Sequence, residues 1–160
     1  MGAKSFWASQ DGHIVSVMSP QNTTGGVTGQ AFNLAGYDHA SIILQQGAVA
    51  AASTKILVNA CSDTSGTGAT AIPFTLFAQE TAGTSNDVLG TKVAVTSAGY
   101  TPTANANTFY VIEVDAQQLP SGLNCVQLQI TNGANANYAS AVAVLSSGRF
   151  TGDQSPTATT

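Results

Sequence analysis

Apolar and polar side chains alternate with a period of two along much of this chain, the spacing of β-strands that bury one face. The clearest run is Cys125 to Thr131, where Val126, Leu128 and Ile130 alternate with Gln127, Gln129 and Thr131. Its outer face is wet and uncharged. In Ile72 to Gln79, the residues Ile72, Phe74, Leu76 and Ala78 share one face and Thr75 and Gln79 the other, with Phe77 breaking the polar side. Pro73 has no amide donor, so this run is predicted to begin at a sheet edge. Further strands are predicted at Ile14 to Met18, Ala40 to Gln45, Lys55 to Cys61, Thr91 to Thr96, Thr108 to Asp115 and Tyr138 to Leu145.

Turn chemistry falls between these runs: Thr24-Gly25-Gly26, Gln46-Gly47, Asp63 to Thr70, Ser97 to Thr101 and Asn132-Gly133. One helix-like piece is predicted, a single turn over Asp115 to Leu119, capped by Asp115 and stopped by Pro120 and Gly122. About eight short strands with regular turns and no long amphipathic helix predict an all-β fold, an antiparallel sandwich of jelly-roll type. An immunoglobulin-like sandwich is the alternative. Residues 1–12 read as an N-terminal arm, 13–149 as the sandwich and 150–160 as a C-terminal tail rich in Ser, Thr, Pro and Gly that orders only against a partner.

Composition narrows the function. Only 8% of the 160 residues are charged, and the net charge is -4. Lys4, Lys55, Lys92 and Arg149 are scattered, which excludes the clustered basic surface that nucleic-acid binding requires. The most apolar stretch, Ala40 to Cys61, is cut by Gln45, Gln46, Gly47 and Lys55, so no membrane span is expected. Met1 to Gly12 lacks the basic start and apolar run of an export signal. Cys61 and Cys125 lie at predicted strand ends, and spacing leaves their pairing open, although a reducing cytoplasm argues for free thiols.

Candidate chemistry is thin. His13 or His39 with Asp11 or Asp38 and a serine would be needed for a hydrolase, but no G-x-S-x-G elbow is present. A structural role for Asp38 and His39 in the turn before a strand outweighs catalysis. The two His and two Cys lie in four separate regions, which argues against a zinc site. Asn132 to Asn137 brings no carboxylate for calcium, and the Asp63 to Thr70 loop lacks a phosphate-reaching lysine. Glu113 and Asp115 share a strand face and mark a solvent or partner side. No catalytic residue, cofactor or metal ligand is assigned.

Three stretches carry a resemblance: VSVMSPQ with YDHASIILQQGAV near the start, TGATAIPFTLFAQET in the middle, and FYVIEVDAQQLPSGLNCVQLQI toward the end. With the closing AVAVLSSGRF, their order resembles the capsid decoration, or cement, proteins of tailed bacteriophages, over about Val15 to Phe150. The resemblance implies a sandwich subunit, made in the host cytoplasm, that binds the outside of an icosahedral head and bridges major capsid proteins without enzyme activity. Because multivalent attachment would raise avidity for a repeated lattice, self-association as a dimer or trimer is expected, and Phe6, Trp7, Arg149 and Phe150 are the expected capsid or oligomer contacts. A receptor- or carbohydrate-binding module of a fibre or tail is the alternative, with Tyr100 and Tyr138 as its loop contacts. The single Trp sits in the N-terminal arm, away from the loops such a module would use.

Overall fold

The alternation resolves into two antiparallel sheets in the computed structural model, which describes residues 7–47, 54–80, 88–102, 107–133, 137–149 and 157–158. The strands are β1 (His13–Asn22), β2 (Val27–Thr28), β3 (Phe32–Asn33), β4 (Tyr37–Gln46), β5 (Ile56–Cys61), β6 (Thr70–Ile72), β7 (Phe74–Glu80), β8 (Val93–Val95), β9 (Thr108–Asp115), β10 (Cys125–Ile130) and β11 (Tyr138–Gly148). A short helix, α1 (Ala8–Asp11), precedes β1, and a 3-10 turn (Ala116–Gln118) follows β9.

One sheet runs β1-β11-β4-β9-β7-β8; the other runs β2-β10-β5-β6, with β3 also paired to β10. The inward residues meet in one core, including Ile42, Leu44, Ile112 and Leu145 from the first sheet and Phe32, Val58, Leu128 and Ile130 from the second. Each of these eight is 0% exposed, and burying such a side chain contributes about 1.5–3 kcal/mol. The predicted sandwich is therefore the fold. The pairings are nested: β3 with β10, β4 with β9, β5 with the bridge at Tyr100, and β7 with β8.

Three local departures from the predicted elements have physical causes. The run around Pro73 is two strands, β6 in the second sheet and β7 in the first, because the chain changes sheets at the residue that cannot donate. In β1 the ladder shifts between Ser16 and Met18 and again between Met18 and Gln21, so Val17 and Met18 are both buried. The Val17 carbonyl there accepts from Gln30 N–H at 2.7 Å, and a Cβ on Gly29 would lie 2.9 Å from that carbonyl oxygen. Only glycine fits. The third departure is at the ends: residues 8–11 of the expected arm are helical, and β11 continues to Gly148. Near the chain end, the Thr157 carbonyl accepts from Asn33 N–H at 2.8 Å, so that part of the expected tail is ordered on this chain's own β3.

Candidate functional site

The outward residues of the six-stranded sheet form rows across the strands. Val142, Ile43, Val111 and Phe77 are successive register partners on β11, β4, β9 and β7, an apolar row through the middle of the face. Val142 is 40% exposed and the other three are half-buried. The adjacent row places Ile14, Val144, Ser41, Glu113 and Thr75 side by side, and Ile14 is 51% exposed. This face is broad and carries little charge.

A charged cluster lies at one end of it. His39 lies opposite Asp115 and Ser41 opposite Glu113 in the β4–β9 ladder. The His39 ring sits between the carboxylates, Nδ1 at 2.7 Å from Asp115 Oδ1 and Nε2 at 2.8 Å from Glu113 Oε2. Ser41 Oγ donates to Glu113 Oε2 at 2.6 Å and lies 3.4 Å from His39 Nε2. Burial alone would lower the His39 pKa, but hydrogen bonds to Asp115 and Glu113, reinforced by their charges, raise it above the ordinary 6.5. His39 thus lies within β4 rather than in a turn before it.

Although serine, histidine and aspartate meet here, the arrangement is not that of a nucleophile. Ser41 donates its hydrogen bond to a carboxylate already held by the histidine, rather than to the ring nitrogen that would have to act as its base. Among the described residues, no group of three or more His, Cys, Asp or Glu is arranged to hold a metal ion. The cluster is an electrostatic clamp between two strands.

Of the four expected contact residues, Phe6 and Phe150 lie outside the described residues. Trp7 is 57% exposed, its backbone N–H donating to Asp11 Oδ2 at 2.7 Å at the start of α1. Arg149 Nε donates to Asp38 Oδ1 at 2.8 Å. Because β1 and β11 are antiparallel, with His13 opposite Leu145, Trp7 and Arg149 fall at the same end of the sandwich. Arg149 there borders a cavity of about 260 Å³ with Leu34, Leu119 and Leu123 on its walls. Tyr138 is 65% exposed at the start of β11, beside a cleft that includes Gln45 and Asn107. Tyr100 packs edge-on against Tyr110, their centroids 5.9 Å apart, and is half-buried.

The two cysteines do not lie in separate regions. Cys61 and Cys125 are direct register partners on β5 and β10, both buried and both free thiols. The signal for this was each residue's place at a strand end, but only the pairing of those strands brings them together.

The sequence matches no protein-family model and no curated protein. Among solved structures, the fold is similar to the crystal structure of the SPBc2 prophage-derived protein YomS, at 15% identity, 84% coverage of this chain, 93% of that chain and a TM-score of 0.43. No helix among the described residues is long and apolar enough to cross a membrane.

Proposed function

We propose that this chain is a structural virion protein of a tailed bacteriophage that binds the outer surface of the capsid and stabilises the head by bridging major capsid proteins. The observation that carries the reading is the outer face of the six-stranded sheet, with its apolar row from Val142 to Phe77 and a charged cluster at one end. Burying a face of few charges costs little desolvation, while Ser140, Gln45 and Thr75 retain directional hydrogen bonding at its margins. A specific contact needs roughly 800 Å² per partner. The resemblance of the strand sequences to cement proteins points the same way, and the nested strand pairings support reading the sandwich as a jelly roll.

Attachment through one face leaves the rest of the surface available for a second copy of the chain. Self-association as a dimer or trimer would raise avidity for a repeating lattice without strong individual contacts. Preferential binding to the mature lattice would then stabilise it by mass action.

The test is the copy number of this chain per purified particle relative to the major capsid protein, measured by quantitative mass spectrometry. A comparable count is expected. A few copies per particle would instead favour a fibre or tail module using exposed Tyr138 beside its amide-lined cleft, and none would overturn the virion reading. In the same particles, Val111→Asp at the centre of the apolar row should fold normally and fail to co-sediment with heads.

A further inference from the structure

The outer side of the second sheet carries a small cluster apart from the main core: Ala31, Cys61 and Cys125. Cys61 ends β5 and Cys125 begins β10, directly opposite each other on antiparallel strands. They are 0% and 2% exposed, and both are free thiols. Opposed residues on such strands have Cα atoms about 4.5–5.5 Å apart, and a disulfide takes Cα separations of about 4.4–6.8 Å. The strand geometry therefore accommodates a bond without a change of register. Beside Ala31, the Gln30 side-chain amide donates to the Thr64 carbonyl of the β5–β6 loop at 3.4 Å.

We propose that Cys61 and Cys125 form a reversible oxidation site, converted to a cross-strand disulfide by a low-molecular-weight disulfide such as oxidised glutathione. In the first step one cysteine thiolate attacks a sulfur of the oxidant, forming a mixed disulfide and releasing one small thiolate. The second cysteine thiolate then attacks the protein sulfur of that mixed disulfide and expels the other small thiolate. Two protein thiols become one disulfide, the oxidant is reduced by two electrons, and the two thiol protons pass to the two released thiolates.

The surroundings set how fast this occurs. Burial, the neighbouring Cys125 and the Asp63 charge push the Cys61 pKa up to about 11, and burial also raises that of Cys125. Little thiolate exists at neutral pH, so the reduced pair is kinetically protected and oxidation accelerates with rising pH. Once formed, the bond would tie together the two central strands of the second sheet and close a loop containing β6 to β9. This chemistry does not depend on the proposed virion role.

The test uses the full chain. It is incubated folded with oxidised glutathione at neutral and mildly alkaline pH, then unfolded in denaturant containing iodoacetamide so that any remaining thiol is alkylated, and analysed by intact mass and non-reducing peptide mapping. The expected product takes up no alkylating reagent, is lighter by two hydrogens, and gives one linked peptide containing Cys61 and Cys125. It forms faster at the higher pH, reverts with dithiothreitol, and melts roughly 10 °C above the reduced form. Cys61→Ala and Cys125→Ala should each abolish the linked product and the melting shift. Full alkylation of both cysteines after incubation, stable glutathione adducts without the linked peptide, or a disulfide between two chains would each overturn the proposal.

Discussion

Replacing His39 with Asn should destabilise the protein in a pH-dependent way. Both ring nitrogens face carboxylate oxygens, at 2.7 Å from Asp115 and 2.8 Å from Glu113. A neutral imidazole has one N–H and satisfies only one of them, whereas the imidazolium donates to both. The Asp115 side chain is 64% exposed, so its pairing is largely screened by water and contributes a few tenths of a kcal/mol; Glu113, at 28% exposure, contributes up to about 1 kcal/mol. Together the clamp supplies up to about 1.5 kcal/mol, equivalent to a Tm difference of up to about 6 °C for a chain of this size. Because the folded-state pKa is raised above 6.5, this stability is fully present below pH 6.5 and is lost as pH rises through the folded-state value. At alkaline pH the neutral ring has one N–H to offer two carboxylates. Thermal unfolding of wild type and His39→Asn, followed by circular dichroism at low ionic strength from mildly acid to alkaline pH, reads the difference directly; His13 is common to both proteins and cancels. A Tm gap that stays constant with pH, or widens toward alkaline pH, would refute the reasoning.

Leu128→Ala removes a fully buried side chain from the second sheet and should cost about 2–5 kcal/mol, read as a lower midpoint in urea with an unchanged slope. Gly29→Ala places a Cβ 2.9 Å from the Val17 carbonyl oxygen and 3.2 Å from that of Leu128; the backbone must move, and the expected loss is about 1–3 kcal/mol by the same measurement. Asp63 accepts from the backbone N–H groups of Thr67 and Ser65, which lower its pKa. Its contribution is therefore present above pH 3.8 and lost as pH falls through the lower folded-state value, so Asp63→Ala should flatten the acid limb of a stability–pH curve.

The longer strands were legible because each pairs a buried face with a wetter one. β9 occupies the predicted Thr108 to Asp115, and β10 differs from its predicted run by one residue. β2 and β3 left no such pattern: each is two residues long, and their place is set by β10, about a hundred positions further on, rather than by their own side chains. Across Pro73 the alternation is continuous, since Ile72 and Phe74 are both buried, so periodicity could not register the change of sheet. Pro73 alone marked it. The clamp was illegible for a related reason. Glu113 and Asp115 were recognisable as one strand face, but the sequence places His39 74 and 76 positions away, and only the β4–β9 register unites them. The cysteine pair likewise depends on the β5–β10 register.

The position of β11 has a consequence for how the molecule is made. It lies between β1 and β4 although, among the described residues, it is the last strand in chain order. A nascent chain that has just completed β10 therefore holds β1 and β4 with no strand to join them, and the hydrogen-bonding edge of β4 that β11 will occupy is unpaired. Such an edge pairs readily with other chains. Pairing of β11 with β1 closes the sheet across a long sequence separation, and topologies rich in such non-local pairings fold on the millisecond-to-second scale. Stop codons upstream of Tyr138 would thus yield an aggregating chain rather than a shortened sandwich, because the strand they delete is the keystone of the larger sheet.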